Sequence, residues 1–270
     1  MALAWRFIPF AEFDGATNMA IDLQLLQQCE AGAAPVLRLY GFSPPCLTLG
    51  LNQKLAEETL ERVRQRGYDI VRRPTGGRAV LHLNDLTYSF VARQKGEGEF
   101  GVLETSVSAA YKQICAGLQA AFDILGLRAE LGASSSAYRH LADCFLATTN
   151  ADLHHAGRKL AGSAQLRRRG TVLQHGSIPL NLDQNIMADL LGLERKEEGS
   201  QRHANLFEIL RREVSMAELN EAMKDGFAKA FSVEFSERVL LPEEIEDLDL
   251  REFCSDGRSA GGSPASNSGS

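Results

Sequence analysis

Between Val36 and Val91 the chain strings short strand-forming runs together with almost no helix between them, and this crowding constrains the fold more than any other feature. Val36 to Tyr40 and Cys46 to Leu51 read as strands split by Gly41 and Pro44-Pro45. Tyr68 to Arg72 and Arg78 to His82 flank the turn Pro74-Thr75-Gly76-Gly77, and Leu86 to Val91 alternates in polarity. The helix in this interval, Ala56 to Arg66, is short and highly charged, has Leu60 and Val63 inward, and stops at Gly67. A regular parallel fold needs a crossover of a dozen or so residues between paired strands. The spacing therefore predicts an α+β fold with a mixed, largely antiparallel β-sheet and flanking helices.

The remaining segments fit that frame. Thr17 to Glu30 carries two apolar stripes, the pattern of a well-buried helix. Val107, Tyr111, Ile114, Leu118, Phe122 and Leu125 form one clean stripe that ends at Gly126. Ala133 to Ala151 reads as a loop, Thr171 to Leu173 and Ser177 to Leu180 as strands, and Met187 to Phe253 as mostly helix apart from a strand near Ser232 to Leu241. No linker interrupts residues 1–254, which are expected to form a single domain, and the Ser/Gly-rich residues 255–270 are expected to be disordered.

Composition excludes several classes. A net charge of -6 argues against a chain built to grip nucleic acid or an anionic membrane. The longest uncharged run, Leu39 to Gln53, contains Pro44-Pro45 and is too short to span a bilayer. The N-terminus reaches Arg6 and Glu12 too soon for a signal peptide. The 5 cysteines are widely spaced with no Cys-x-x-Cys pair, as expected for a reduced cytoplasmic protein.

Some motifs are weak. Gly96-Glu97-Gly98-Glu99-Phe100-Gly101 spells a dinucleotide fingerprint, but it lacks a βαβ unit and would press carboxylates on a pyrophosphate, so a surface loop is the better reading. His140, Cys144 and His154-His155 match no common zinc spacing. The turn from Arg72 to His82 says more. Its glycines could simply close a hairpin, yet adjacent Arg72 and Arg73 must point to opposite sheet faces, and an inward arginine needs an anionic or strongly polar partner. A glycine turn flanked by guanidinium groups suits a phosphate- or thioester-bearing ligand, and both readings stand. Lys159, in Gly157-Arg158-Lys159-Leu160-Ala161-Gly162-Ser163-Ala164-Gln165, is either a solvated edge-strand lysine or one beside a pocket kept open by small residues. Cys29 and Cys115 fall in helices and read as inert; Cys144 lies in the loop-like region, where function concentrates, although most free cysteines are inert too.

Several stretches match together: Asn18 to Asp22, Arg72 to His82, Leu86 to Ser89, Asp143-Cys144-Phe145, Gly157 to Gln165, and Leu173 to Ser177. In this order they resemble the biotin/lipoate protein ligase superfamily, most closely its LipM-type octanoyltransferases. The resemblance implies a catalytic fold like that of biotin ligases and class II aminoacyl-tRNA synthetases. It implies octanoyl transfer from octanoyl-acyl carrier protein to a lysine of a lipoyl domain of 2-oxoacid dehydrogenases or of the glycine cleavage H protein, with no cofactor. It makes Cys144 the nucleophile and Lys159 its neighbouring ammonium. It places Arg73, Thr75, Gly76, Gly77, Arg78 and His82 around the acyl and thioester site, with Gly162, Ser163 and Ala164 along the acyl chain. The rivals are an ATP-dependent lipoate ligase, many of which carry a C-terminal domain for which this chain leaves no room, and a non-catalytic acyl-binding protein.

Overall fold

The computed structural model describes residues 4–132, 152–193 and 203–253. Cys144, His140 and the tail beyond Phe253 lie outside the described residues. In chain order the elements begin with β1 (Trp5–Phe13), α1 (Gly15–Glu30), β2 (Val36–Phe42), β3 (Cys46–Leu49), α2 (Glu57–Gln65), β4 (Asp69–Arg72), β5 (Val80–His82) and β6 (Asp85–Gln94). They continue with β7 (Gly101–Leu103), α3 (Val107–Ile124), β8 (Glu130–Leu131), β9 (Leu153–His155), β10 (Arg158–Arg168) and β11 (Thr171–Pro179). The last are α4 (Gln184–Leu191), α5 (Leu206–Leu210), α6 (Met216–Phe231), β12 (Phe235–Glu237) and α7 (Pro242–Glu246).

The main sheet runs β12-β1-β2-β6-β11-β10-β9-β8, with β7 beside β6; a small sheet runs β4-β3-β5. Pairing is parallel for β1 with β2 and β12, and for β6 with β7; the strands from β2 through β6, β11, β10 and β9 to β8 pair antiparallel. The mixed, largely antiparallel α+β architecture expected from the sequence is thus observed.

Alternation along the central strands divides the sheet into two chemical faces. Leu37 and Leu39 of β2 and Leu86, Tyr88 and Phe90 of β6 point towards α3 and α6, where Ile114, Leu118, Phe122 and Phe227 complete the main core. The intervening residues face α1. Its apolar residues divide between two clusters: Ile21, Leu25, Leu26 and Cys29 join Val36 and Val91, Met19 and Ala20 join Tyr40 and Phe42, and Leu23 packs against both. The helix starts two residues earlier than its apolar pattern suggests, because the Asp14 side chain accepts from the Thr17 backbone N–H at 2.8 Å and caps it.

Strand β1 has no counterpart in the sequence reading. Pro9 interrupts its alternation, and the register with β2 shifts between Ile8 and Ala11, so the proline sits at an irregularity that needs no ladder hydrogen bond there. The Gly96–Gly101 run forms an exposed turn leading into β7 and then α3, as a surface loop would. Among the described residues, no helix is long and apolar enough to cross a membrane.

Candidate active site

The face beneath α1 carries polar residues in register. Arg38 of β2, Ser89 of β6 and His175 of β11 are direct cross-strand partners, and Asp22 of α1 sits over that row. Asp22 accepts from Arg38 Nη1 at 2.9 Å, Ser89 Oγ at 2.8 Å, Tyr40 OH at 2.9 Å and His175 Nδ1 at 3.1 Å. Burial alone would raise the Asp22 carboxyl, but the His175 hydrogen bond and the Arg38 charge outweigh it and hold it below the ordinary carboxylate range. Burial pushes His175 down, and Arg73 and His82 add to that push against the opposing pull of Asp22. With Nδ1 donating to the carboxylate, Nε2 of the neutral ring accepts from Thr75 Oγ1 at 2.6 Å.

The next row along the same face is Tyr40, Thr87 and Ser177. Here Thr87 Oγ1 and Ser177 Oγ donate to Asp85 Oδ2 at 3.1 and 2.6 Å, and His82 Nδ1 meets the same oxygen at 2.8 Å. His82 Nε2 lies 3.1 Å from Thr48 Oγ1, and Thr48 in turn accepts from Arg73 Nη1 at 3.2 Å. Two aspartate–histidine–threonine chains therefore run side by side into the glycine turn and the strand behind it.

Of the adjacent arginines, Arg73 is the inward one, 5% exposed. Its Nη2 donates to the carbonyls of Gly76 and Arg78 at 2.9 and 2.6 Å, and Nη1 donates to the Thr48 carbonyl at 3.1 Å. Arg72 donates to the carbonyls of Gly50, Leu51 and Gln53. Both guanidinium groups thus organise backbone around the turn, and the strongly polar partners expected of a buried arginine are carbonyl oxygens. Gly50 runs directly behind the turn: a Cβ there would lie 2.1 Å from the Gly77 carbonyl oxygen, and Gly77 itself has φ +97.

Between α1 and β10 opens a narrow cavity bordered by Arg73, His82, Gly162, Ser163 and Ala164, with Met19, Phe42 and Val80 as apolar walls. Thr48 and His175 from the two chains also border it. Thr75, Gly76, Gly77 and Arg78 do not border it; Gly76 and Arg78 are tied to it through the Arg73 bonds and Thr75 through its contact with His175. Gly162 and Ala164 oppose Ser177 and His175 across the β10–β11 ladder, which is how small residues come to form the cavity wall.

Lys159 lies just behind this wall. A Cβ on Gly162 would meet Lys159 Cε at 2.9 Å and Nζ at 3.1 Å. The amine is no solvated edge group: β10 is flanked by β9 and β11, Lys159 is 3% exposed, and Nζ pairs with Asp152 Oδ1 at 3.0 Å. Asp152 is a residue of this site that sequence reasoning missed; Thr48 and Asp85, which contact Arg73 and His82, are others. The cysteines that are described are inert: burial pushes Cys29 up to about 11 and Cys115 up to about 12, and Cys46 is raised as well. No cluster of His, Cys, Asp or Glu suited to a metal occurs among the described residues.

Comparison with known proteins agrees with this geometry. Residues 14–228 match the family described as the lipoyl protein ligase A/B catalytic domain. The octanoyltransferase LipM of Carboxydothermus hydrogenoformans is 40% identical over 259 residues, covering 92% of this chain and 95% of that protein. The octanoyltransferase LipM of Bacillus subtilis is 36% identical over 258 residues, covering 90% and 91%. A lipoate protein ligase structure from T. acidophilum with bound lipoic acid superposes with a TM-score of 0.71 at 24% identity, covering 90% of this chain and 92% of that one, a likeness of fold. The chain belongs to the lipoyl protein ligase A/B catalytic-domain family and, within it, to the LipM-type octanoyltransferases.

Proposed function

We propose that this acyltransferase of lipoate biosynthesis takes octanoate from octanoyl-acyl carrier protein onto Cys144 as a thioester, then delivers it to a lysine of a lipoyl domain or of the glycine cleavage H protein. The observation that carries the route is Lys159: a buried ammonium immediately behind Gly162, on the wall of the cavity assigned to the acyl chain. Attack of the Cys144 thiolate on the donor carbonyl forms one C–S bond and breaks another, so the exchange needs no ATP. The departing carrier thiolate takes the proton that the Cys144 thiol gave up. In the second half, the acceptor lysine attacks as a free amine, the C–N bond forms, the C–S bond to Cys144 breaks, and the amine proton passes to that sulfur.

Lys159 supports both halves by donating to the oxyanion that develops on the octanoyl carbonyl. Asp152 tempers its other role. A carboxylate 3.0 Å from the amine offsets part of the positive field that would otherwise favour the thiolate, so oriented hydrogen bonding outweighs simple charge. The apolar walls favour an aliphatic chain, each buried CH₂ contributing about 0.8 kcal/mol. The reaction is assigned to the cytoplasm, where thiols are kept reduced and a thiol nucleophile stays available.

The test is an incubation with octanoyl-acyl carrier protein in the absence of ATP, read by intact mass. A hydroxylamine-sensitive octanoyl adduct that disappears in Cys144→Ala is expected. Octanoylation only when ATP and free octanoate are supplied would make the protein a ligase, and binding without either product would make it an acyl-binding protein. Lys159→Ala is expected to slow transfer by about 10²–10³.

A further inference from the structure

A second cavity lies against the first. The rings of Phe42 and His82 stack with centroids 4.0 Å apart, and this pair borders both the acyl cavity and a wider one. The wider cavity opens between the end of β1, the β5–β6 connection and the segment from α5 to the start of α6. Its charged lining residues are Glu12, Asp85 and Glu213, together with His82; among the described residues no lysine or arginine lines it. Glu12 and Glu213 are exposed, whereas Asp85 is buried at the inner end, engaged with His82.

We infer that this second cavity is where the acceptor lysine enters to reach the octanoyl group. The inference rests on the acyl-transfer reading, which requires two substrates to approach one carbonyl. The donor brings an acyl chain and a phosphate-bearing arm; the acceptor brings an ammonium on a four-carbon stem. Carboxylates at the mouth repel the phosphate and attract the ammonium. The exposed ring of Phe207 and the other apolar walls suit the methylene stem, which can pack on them while the charged head is held by carboxylates. The stacked aromatic pair borders both cavities, with the imidazole fixed in orientation by Asp85, so an amine that follows its outer face arrives beside the acyl cavity.

The experiment follows each half-reaction with an apo lipoyl domain as acceptor. Formation of the octanoyl-enzyme is expected to run at the wild-type rate in Glu12→Gln/Glu213→Gln and in Phe207→Arg. Delivery to the lipoyl domain is expected to show KM raised about three- to tenfold in the double variant, and to slow by about tenfold or more when Phe207→Arg places a cation at the mouth. In parallel, calorimetric titration compares the lipoyl domain with its Lys→Gln form. The wild-type protein should prefer the lysine form, and the double variant should not distinguish the two. Slowing of the first half instead would assign the cavity to the donor arm and overturn the inference, as would variants that change neither half. If the wild-type protein forms no octanoyl-enzyme yet distinguishes the two lipoyl domains through Glu12 and Glu213, the lysine site stands and the thioester route falls.

Discussion

The two aspartate–histidine–threonine chains look alike on paper but differ in what balances the aspartate. Asp22 faces a guanidinium, and its pair with Arg38 is closed off from water, with side chains 0% and 1% exposed. Asp85 faces only hydroxyls and an imidazole; among the described residues no lysine or arginine pairs with it. The Asp22–Arg38 end of the first chain is a sealed ionic knot that ties α1 to the central strands, and of that chain His175 alone borders the acyl cavity. The second borders both cavities, and its imidazole has a cavity on either side. The same side-chain types thus serve as an anchor in one place and as a ligand-facing wall in the other, and what separates them is the presence of a buried counter-charge.

The sharpest way to break this contrast is Asp22→Asn. It leaves Arg38 buried without its carboxylate and should cost about 3–5 kcal/mol, measured by urea denaturation. A loss below about 1 kcal/mol would mean that the knot is not what holds α1 down. Asp85→Asn strands no cation, so its stability cost should be about 1–3 kcal/mol, while delivery of octanoate to the acceptor should slow more than that destabilisation explains. If Asp85→Asn proved the more destabilising of the two, the contrast would be inverted.

Acid titration separates the chains in another way. Burial holds the folded His175 below its ordinary value of 6.5, so on acidification the unfolded chain takes up that proton first. The stability contributed by neutral His175 is complete above pH 6.5 and is lost as the pH falls towards the folded value, by at most about 1.4 kcal/mol per pH unit. His175→Gln should flatten this limb. It should leave the more acidic loss that arises as the pH falls through the lowered Asp22 value. A wild-type denaturation midpoint that does not change between pH 7 and pH 5 would contradict the assignment. The smallest effects are expected at the ends of the chains: Thr75→Val and Thr48→Val each remove one hydroxyl and should cost about 1 kcal/mol. Thr48→Val should change acyl transfer more, since Thr48 borders the cavity and Thr75 does not.

Much of the fold was legible because it depends on local spacing. The crowded strands between Val36 and Val91 required a mixed sheet, and the double stripe of α1 required burial on two sides. The edges of that legibility are physical. Pro9 masked β1, whose pairing with β2 and β12 depends on distant chain segments. Lys159 could be read as solvated or as pocket-facing, because its partner Asp152 is reached only when the His155–Arg158 turn folds β9 back on β10. Asn18 and Asp22 inside an otherwise apolar helix, and Arg38 among Val36, Leu37 and Leu39, were visible oddities that signal a buried polar network. Their meeting point was not visible, since it is set by the register that aligns Arg38, Ser89 and His175 across three strands. Arg73, His82 and Gly162–Ala164 border one cavity, while Cys144 lies outside the described residues.

The contact between Gly50 and the Gly77 carbonyl gives the small sheet a mechanical meaning. With nothing but bare backbone between them, the loop after β3 acts as a backstop for the glycine turn, and Arg72 rivets that backstop from the next strand. Any side chain introduced at position 50 would push the turn forward as a unit, carrying the carbonyls of Gly76 and Arg78 away from Arg73. A lesion outside the cavity would then misalign its mouth while leaving every cavity-lining residue chemically intact.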